Sequence, residues 1–272
     1  MTARNEDGVL VKTPYKKQEF TELQLQEFMK CADPESGPEY FLRNFFFIQH
    51  PVQGKIQYNP WEFQERLIKT YHNYRFSISM MPRQTGKSTS AAGYLLWFAM
   101  FKPDSTILVA AHKYAGAQEI MQRVRYSYEA CPDHIRAGAT SYNKGSIEFD
   151  NGSRIVAQTT TENTGRGMSI TLLYCDEFAF VRPTIAKEFW TSISPTLSTG
   201  GGAIITSTPN SDEDQFAFIW KGANKTEDEY GNTKELGVNG FKAYRAYWRE
   251  HPDRDEPWAE EQRNLLGIER FR

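Results

Sequence analysis

A short segment of the sequence, residues 80–89, combines the residue types that hold nucleotide phosphates. It reads MMPRQTGKST and contains Gly86-Lys87-Ser88, the end of the phosphate-loop signature G-x-x-x-x-G-K-[ST]. In that signature the loop N–H groups surround the phosphates, the lysine neutralises them and the hydroxyl binds Mg²⁺. The first glycine of the signature is missing, because Met81 stands in its place. The tripeptide therefore predicts a nucleotide site only if the flanking elements fit.

The elements predicted on either side of the loop do fit. Residues 75–80 alternate like a β-strand, and residues 87–101 indicate a buried helix that is apolar on most sides. A helix that starts at Lys87 directs free backbone N–H groups and the positive end of its dipole toward bound phosphates. The sequence therefore predicts a phosphate site; the alternative is a glycine turn with a solvated lysine.

A pair of carboxylates, Asp176-Glu177, follows the apolar run LLYC at residues 172–175. Side chains at the carboxyl ends of parallel strands face the crevice in which such sheets bind ligands. We expect Asp176 to hold Mg²⁺ through its water shell, and Glu177 to orient and deprotonate the attacking water. The alternative is an acidic pair stabilised by the dipole of a following helix.

Two further groups of polar residues could serve the same site. Thr206-Ser207-Thr208 end the buried strand predicted at 202–207, where hydroxyls could sense the γ-phosphate and signal its loss. The segment TSTPN also fits a plain turn. Gln64, in NPWEFQE, carries an amide that can donate to and accept from the edge of adenine. Its alternative position is on an amphipathic surface helix.

Two arginines are candidates for stabilising transition-state charge. Arg83 lies inside the loop, and Arg166 lies between glycines in TGRG. Either could act as an arginine finger, and either could be a solvated or structural arginine. The guanine motif Asn-Lys-x-Asp is absent from the sequence, which favours ATP over GTP.

The remaining pattern predicts an α/β fold. Buried strands at 106–111, 170–175 and 202–207 alternate with helices at 114–130 and around 186–193, which predicts a doubly wound, mostly parallel sheet. The Asn-Gly pair at 151–152 predicts a hairpin between strands at 146–149 and 154–158.

Composition excludes several classes of protein. The formal net charge is −2, from 32 Lys and Arg against 34 Asp and Glu, which argues against a basic DNA-coating protein. The longest apolar run, 91–101, is far shorter than the ~20 residues that span a bilayer. The N-terminus lacks the apolar core of a signal peptide, so we expect a cytosolic protein without membrane contact. Three scattered cysteines predict buried, reduced thiols and no zinc site.

Taken together, these motifs resemble those of a known family. The segments PRQTGKST, AAHKYAGAQEIMQRV, YNKGSIEFDNGSRI, TGRGMSITLLYCDEFAF and ITSTPN, within 58–215, are similar to the ATPase half of the large terminase subunit of tailed bacteriophages. That subunit is the motor that packages DNA into empty capsids. The family commonly lacks the first glycine of the loop and carries an Arg-Gln pair inside it, as Arg83-Gln84 does here.

The resemblance implies a role for each matching residue. Glu177 would be catalytic, with Arg83 as a finger within its own subunit and Arg166 as a finger toward a neighbouring subunit. Ser88 and Asp176 would bind Mg²⁺. The residues implied in ATP binding are Phe63, Gln64, Arg83, Gln84, Thr85, Gly86, Lys87, Ser88 and Thr89, and those implied in coupling hydrolysis to movement are Thr206, Ser207 and Thr208.

The resemblance also implies an organisation and a set of partners. The fold would be of the P-loop NTPase (ASCE, RecA-like) type, with an ATPase core at 36–215. Residues 1–35 together with 216–272 would form a small lid subdomain and the start of a linker. The family's nuclease domain does not fit within this chain, so we expect an isolated ATPase domain without nuclease activity.

The implied partners are double-stranded DNA, the portal protein of the procapsid and the small terminase subunit. They imply a motor in the host cytoplasm that forms a homo-oligomeric ring when docked on the portal, and they leave open whether the isolated domain is a monomer. Two alternatives remain: a helicase-like ATPase with the same core, and a nucleotide-binding module that does not hydrolyse.

Overall fold

The structure is a computed structural model that describes residues 10–267 and Phe271. The helices are α1 (Glu22–Ala32), α2 (Gly37–Phe45), α3 (Glu62–Asn73), α4 (Lys87–Phe101), α5 (Tyr114–Ala130), α6 (Pro183–Ile193), α7 (Gln215–Asn224) and α8 (Glu256–Leu266). The strands are β1 (Phe47–His50), β2 (Gly54–Gln57), β3 (Phe76–Met80), β4 (Thr106–Ala111), β5 (Ala139–Tyr142), β6 (Ser146–Phe149), β7 (Arg154–Thr159), β8 (Leu172–Asp176), β9 (Gly202–Ser207) and β10 (Lys242–Arg245). Among the described residues, no helix is long and apolar enough to cross a bilayer.

Eight strands form one central sheet in the order β10-β3-β9-β8-β4-β7-β6-β5. The strands from β10 to β7 are parallel, whereas β6 and β5 pair antiparallel at one edge. Strands β1 and β2 form a separate hairpin. The predicted α/β fold with a mostly parallel sheet is confirmed.

Helices cover both faces of this sheet, because successive residues of a strand point to opposite sides. In β4, Ile107, Val109 and Ala111 pack in the core under α2 to α5, whereas Leu108 and Ala110 pack in the core under α6 and α7. Both cores are apolar, which explains why the central strands are continuous hydrophobic runs.

Helix α4 is the most deeply buried of the helices that position the loop. It has no polar face, since twelve of its fifteen residues are buried between the sheet and the helices around it. Gly93 permits this packing: a Cβ there would lie 2.6 Å from Leu42 Cδ2 and 3.0 Å from the ring of Phe46. The helix that begins at the candidate phosphate loop is therefore fixed on all sides.

The strand order brings the predicted site residues together. Strand β9 lies between β3 and β8, and both of its neighbours run parallel to it. The carboxyl ends of parallel strands meet at one edge of the sheet, so the segments that follow β3, β9 and β8 adjoin there.

Most predicted elements coincide with observed ones, but strands β1, β2, β5 and β10 were not predicted. The hairpin of β1 and β2 has no strong turn dipeptide and was not predicted. Strand β10 falls within the expected lid, 216–272, but it pairs with β3 in the central sheet. The domain boundaries stay a prediction, with the amendment that β10 belongs to the core sheet. Cys31, Cys131 and Cys175 are buried thiols, as predicted.

Met81 occupies the place of the missing glycine because that position continues the sheet. Its backbone N–H donates to Ser207 O at 3.1 Å, which extends the pairing of β3 with β9. Its side chain is 1% exposed and packs in the core under α2 to α5. Met81 is not among the described residues with positive φ, so the backbone there has no need of glycine.

Restoring the glycine should therefore destabilise the protein. We expect Met81→Gly to lower the free energy of unfolding by about 3–5 kcal/mol, because it empties a core position and adds backbone freedom. Urea unfolding measures the loss. The control Met81→Leu keeps the volume and should cost less than about 1.5 kcal/mol. A loss below about 1 kcal/mol for Met81→Gly would show that residue 81 is not a core position.

Candidate nucleotide site

The loop between β3 and α4 is a tight, non-helical turn. Thr85 Oγ1 donates to Pro82 O at 2.8 Å, which closes the front of the loop. Gln84 and Gly86 have φ of +57° and +74°, in the left-handed region. Gly86 is needed for space as well, since a Cβ there would lie 2.5 Å from Gln64 Nε2.

The loop leads into an uncapped helix N-terminus. Gly86 is the N-cap of α4, and no side chain caps this helix end. The first N–H groups of a helix have no partner within the helix and form a natural anion site. The backbone geometry expected of a phosphate loop is therefore present, although its first glycine is absent.

Lys87 and Glu177 meet across the crevice between β3 and β8. Lys87 Nζ forms an ion pair with Glu177 Oε1, and the lysine is 7% exposed. The two residues are 90 positions apart in sequence. The structure thus brings together the lysine of the loop and the predicted catalytic carboxylate, which neutralise each other.

Asp176 lies deeper, at the end of β8. Ser88 Oγ donates to its Oδ1 and Oδ2 at 3.3 and 3.4 Å. Tyr174 and Thr206 hydroxyls donate to Oδ1 at 3.0 and 3.1 Å. Burial raises the pKa of Asp176, although the charge of Lys87 opposes this shift. Hydroxyl and carboxylate oxygens are the ligand type that Mg²⁺ prefers, so Ser88 and Asp176 fit the predicted metal.

Glu177 follows in a left-handed conformation, with φ +49° and ψ +45°. Its Oε2 accepts hydrogen bonds from Ser207 Oγ at 3.3 Å and from the N–H and hydroxyl of Thr208 at 3.1 Å each. Burial would raise the pKa of Glu177, but the charge and hydrogen bond of Lys87 and the two donors of Thr208 lower it below its usual value. The carboxylate is therefore ionised and fixed through Oε2.

The hydroxyls that end β9 contact the two carboxylates. Thr206 bonds to Asp176, whereas Ser207 and Thr208 bond to Glu177. The sequence predicted that these residues sense the γ-phosphate. In the structure these hydroxyls bind Asp176 and Glu177, the carboxylates that would act on the γ-phosphate. Their role in coupling hydrolysis to movement stays a prediction.

Gln64, expected at adenine, lies against the loop. Its Nε2 donates to Thr85 O at 2.9 Å, and its Oε1 accepts from Tyr58 Oη at 3.2 Å and from Trp61 N at 3.1 Å. Phe63 is buried and stacks on Trp61, with 5.8 Å between ring centroids. Gln64 therefore supports the loop backbone, and the adenine contact of both residues stays a prediction.

The two candidate arginine fingers lie outside the carboxylate cluster. Arg83 is exposed, and its side chain forms no ion pair or hydrogen bond with the residues the structure describes. Arg166 is exposed and its Nε donates to Ser192 Oγ on α6 at 3.2 Å. The structure does not connect Arg166 with Lys87 or Glu177 through any contact among the described residues.

Two residues near the loop stand apart from the cluster. Thr89 lines a cavity of about 220 Å³ between β1, α4 and α5. Arg254, just before α8, was not predicted as a site residue from the sequence. Its Nη2 donates to the carbonyls of Arg83 and Gln84 at 2.9 and 3.0 Å. No local motif marks Arg254, because it reaches the loop from 170 residues away.

The chain is similar to several known proteins. The family model described as terminase large subunit, T4likevirus-type, N-terminal, matches residues 78–272. Solved structures also resemble the chain, including the following three. The large terminase ATPase domain of Thermus phage P74-26 is 22% identical with a TM-score of 0.62, and the match covers 79% of this chain and 92% of that one.

The other two structures are longer proteins. The large terminase of bacteriophage HK97 is 18% identical with a TM-score of 0.61, over 79% of this chain and 44% of that chain. The large terminase of a thermophilic bacteriophage in complex with ADP is 10% identical with a TM-score of 0.57, over 76% of this chain and 50% of that chain. These likenesses support the fold, and this chain spans half or less of either longer protein.

Proposed function

The chain belongs to the family of large terminase subunits of the T4-like-virus type, as an N-terminal domain, and from that premise we propose that it hydrolyses ATP to move double-stranded viral DNA into a procapsid. One observation carries the proposal: Lys87 and Ser88 of the loop meet Glu177 and Asp176 across a single crevice. Phosphoryl transfer to water requires both a phosphate-binding half and a carboxylate half. A module that binds a nucleotide without hydrolysing it would need only the phosphate-binding half.

ATP would bind with its phosphates on the loop and the start of α4. Lys87 would then exchange Glu177 for the β- and γ-phosphates, because both partners compete for one ammonium group. A related large terminase was solved in complex with ADP and with ATP-gamma-S, which supports an adenine nucleotide. Mg²⁺ held by Ser88 and Asp176 would neutralise the phosphate oxygens.

The exchange would prepare Glu177 for catalysis. Its Oε2 stays bonded to Thr208 and Ser207, whereas its Oε1 loses Lys87 and becomes free. A fixed carboxylate with one free oxygen can orient a water molecule and accept its proton. Substrate binding would therefore expose the base that Lys87 otherwise keeps paired.

The same contacts offer a path from chemistry to movement. Thr206 and Thr208 join the two carboxylates to the end of β9, and Asn210 continues the path by donating to Ala179 O at 3.1 Å. Changes at the γ-phosphate would thus reach the segment that follows β9. The proposed partners are double-stranded DNA, the portal, the small terminase subunit and further copies of this chain in a ring within the host cytoplasm.

Replacing Glu177 separates catalysis from binding. We expect Glu177→Gln to lower kcat by about 100-fold or more, since an amide cannot accept the proton of water. Nucleotide affinity should stay the same or rise, because Lys87 no longer has to leave a charged partner. Steady-state ATPase assays and calorimetric titration with ADP measure the two effects. Unchanged turnover would exclude hydrolysis by this site.

Mixed subunits test whether Arg166 acts on a neighbour. Arg166→Ala supplies an intact nucleotide site, and Lys87→Ala supplies an intact arginine. A random one-to-one ring should recover about a quarter of wild-type turnover, since half of the sites keep Lys87 and half of those face an intact finger. Assembly is checked by sedimentation on portal-bearing procapsids. No recovery in assembled rings would rule out a finger in trans.

A further inference from the structure

The structure assigns a positioning role to Arg254: we propose that it holds the phosphate loop in its binding conformation from behind. This inference rests on the proposed function, because it concerns the same nucleotide site. Arg254 is half-buried, and its Nη2 binds two successive carbonyls, those of Arg83 and Gln84. Its guanidinium lies over the ring of Trp258 at 4.7 Å, which fixes its orientation.

The geometry of the peptide bond explains what these contacts achieve. In a planar trans peptide the C=O and the following N–H point in opposite directions. Arg254 draws the carbonyls of Arg83 and Gln84 to one side, which turns the N–H groups of Gln84 and Thr85 to the other side. Gln64 does the same for the next peptide through Thr85 O.

Three successive N–H groups are consequently available for an anion. Within residues 10–267 and Phe271, no acceptor is bonded to the N–H of Gln84, Thr85 or Gly86. Successive N–H groups in turns with alternating right- and left-handed residues form concave anion sites. Arg254 and Gln64 together hold this concavity in shape.

The loop has residues with side chains where ordinary phosphate loops have glycines, and for this reason its backbone needs the support of Arg254. Ordinary phosphate loops use glycines, which adopt left-handed conformations without steric cost. Here Gln84 has a left-handed φ of +57°, which is unfavourable for a residue with a Cβ. The two hydrogen bonds from Arg254 flank this residue and offset its cost.

Arg254 itself is fixed by the segment that carries it. His251 packs against Trp61 with 4.2 Å between ring centroids, and Glu250 forms an ion pair with Arg66 of α3. The segment 250–254 therefore packs against the start of α3 and the front of the loop together. The position of this segment therefore affects the conformation of the loop.

The experiment compares Arg254→Ala with a matched control, Arg249→Ala. Arg249 lies immediately before this segment and over a tryptophan, Trp248, at 4.9 Å, but it pairs with Glu256 and not with the loop. Titration calorimetry with Mg-ADP and with inorganic tripolyphosphate gives the dissociation constants. Steady-state kinetics give KM and kcat, and thermal melts without ligand report folding.

We expect Arg254→Ala to weaken both ligands by about tenfold, and by the same factor, because the loop contacts phosphates and not the base. KM should rise while kcat stays within about threefold, since ground-state and transition-state phosphates lose the same contacts. Arg254→Lys should recover part of the affinity, because an ammonium can still donate to one carbonyl. Arg249→Ala should bind like the wild type.

Equal affinities for wild type and Arg254→Ala would overturn the inference. So would a loss confined to ADP. If Arg254→Ala melts at a much lower temperature than Arg249→Ala, its affinity no longer reports on the loop alone, and Arg254→Lys and Trp258→Leu are measured in its place. Wild-type affinity in both of these variants would also overturn the inference. A wild type that binds ADP without turning over ATP refutes the proposed function alone, whereas a wild type that binds neither ligand refutes both.

Discussion

The ion pair between Lys87 and Glu177 is the interaction on which the rest of the site depends. It joins the loop after β3 to the end of β8. These two strands lie on either side of β9 and run parallel to it, so their carboxyl ends adjoin at one edge of the sheet. Separating two partly buried charges is costly unless each finds another partner. The phosphates of a nucleotide are such a partner for Lys87, and a water molecule is one for the freed oxygen of Glu177. Nucleotide binding and activation of Glu177 would therefore occur through the same exchange of partners at Lys87.

The surroundings of this pair are rigid, which makes the exchange specific. Ser207 and Thr208 fix the second oxygen of Glu177, while Tyr174 and Thr206 fix Asp176. Helix α4 is buried on all sides, so Lys87 changes partner by moving its flexible side chain and not its backbone. The hydroxyls of β9 contact both carboxylates and are placed to register which partner Lys87 has taken.

The sequence predicted the parts of this arrangement that follow from local pattern and from one topological rule. Lys87, Ser88, Asp176 and Glu177 were found because motif spacing marks them and because parallel strands end at one edge. The support from Arg254 could not be predicted, since it depends on packing between segments 170 residues apart. The same reason hid β10, whose four residues carry no continuous apolar run and pair with β3 through tertiary contact alone. Whether Gln64 meets adenine depends on a contact that motif spacing cannot reveal.

We expect nucleotide phosphates to replace Glu177 as the partner of Lys87. A crystal or cryo-EM structure of the protein with Mg²⁺ and a non-hydrolysable ATP analogue tests this expectation most directly. We expect Lys87 Nζ to lie within hydrogen-bond distance of the β- and γ-phosphates. Glu177 Oε1 should be parted from Lys87 and face water, while Glu177 Oε2 stays bonded to Thr208. An intact Lys87–Glu177 pair beside a bound nucleotide would contradict this expectation.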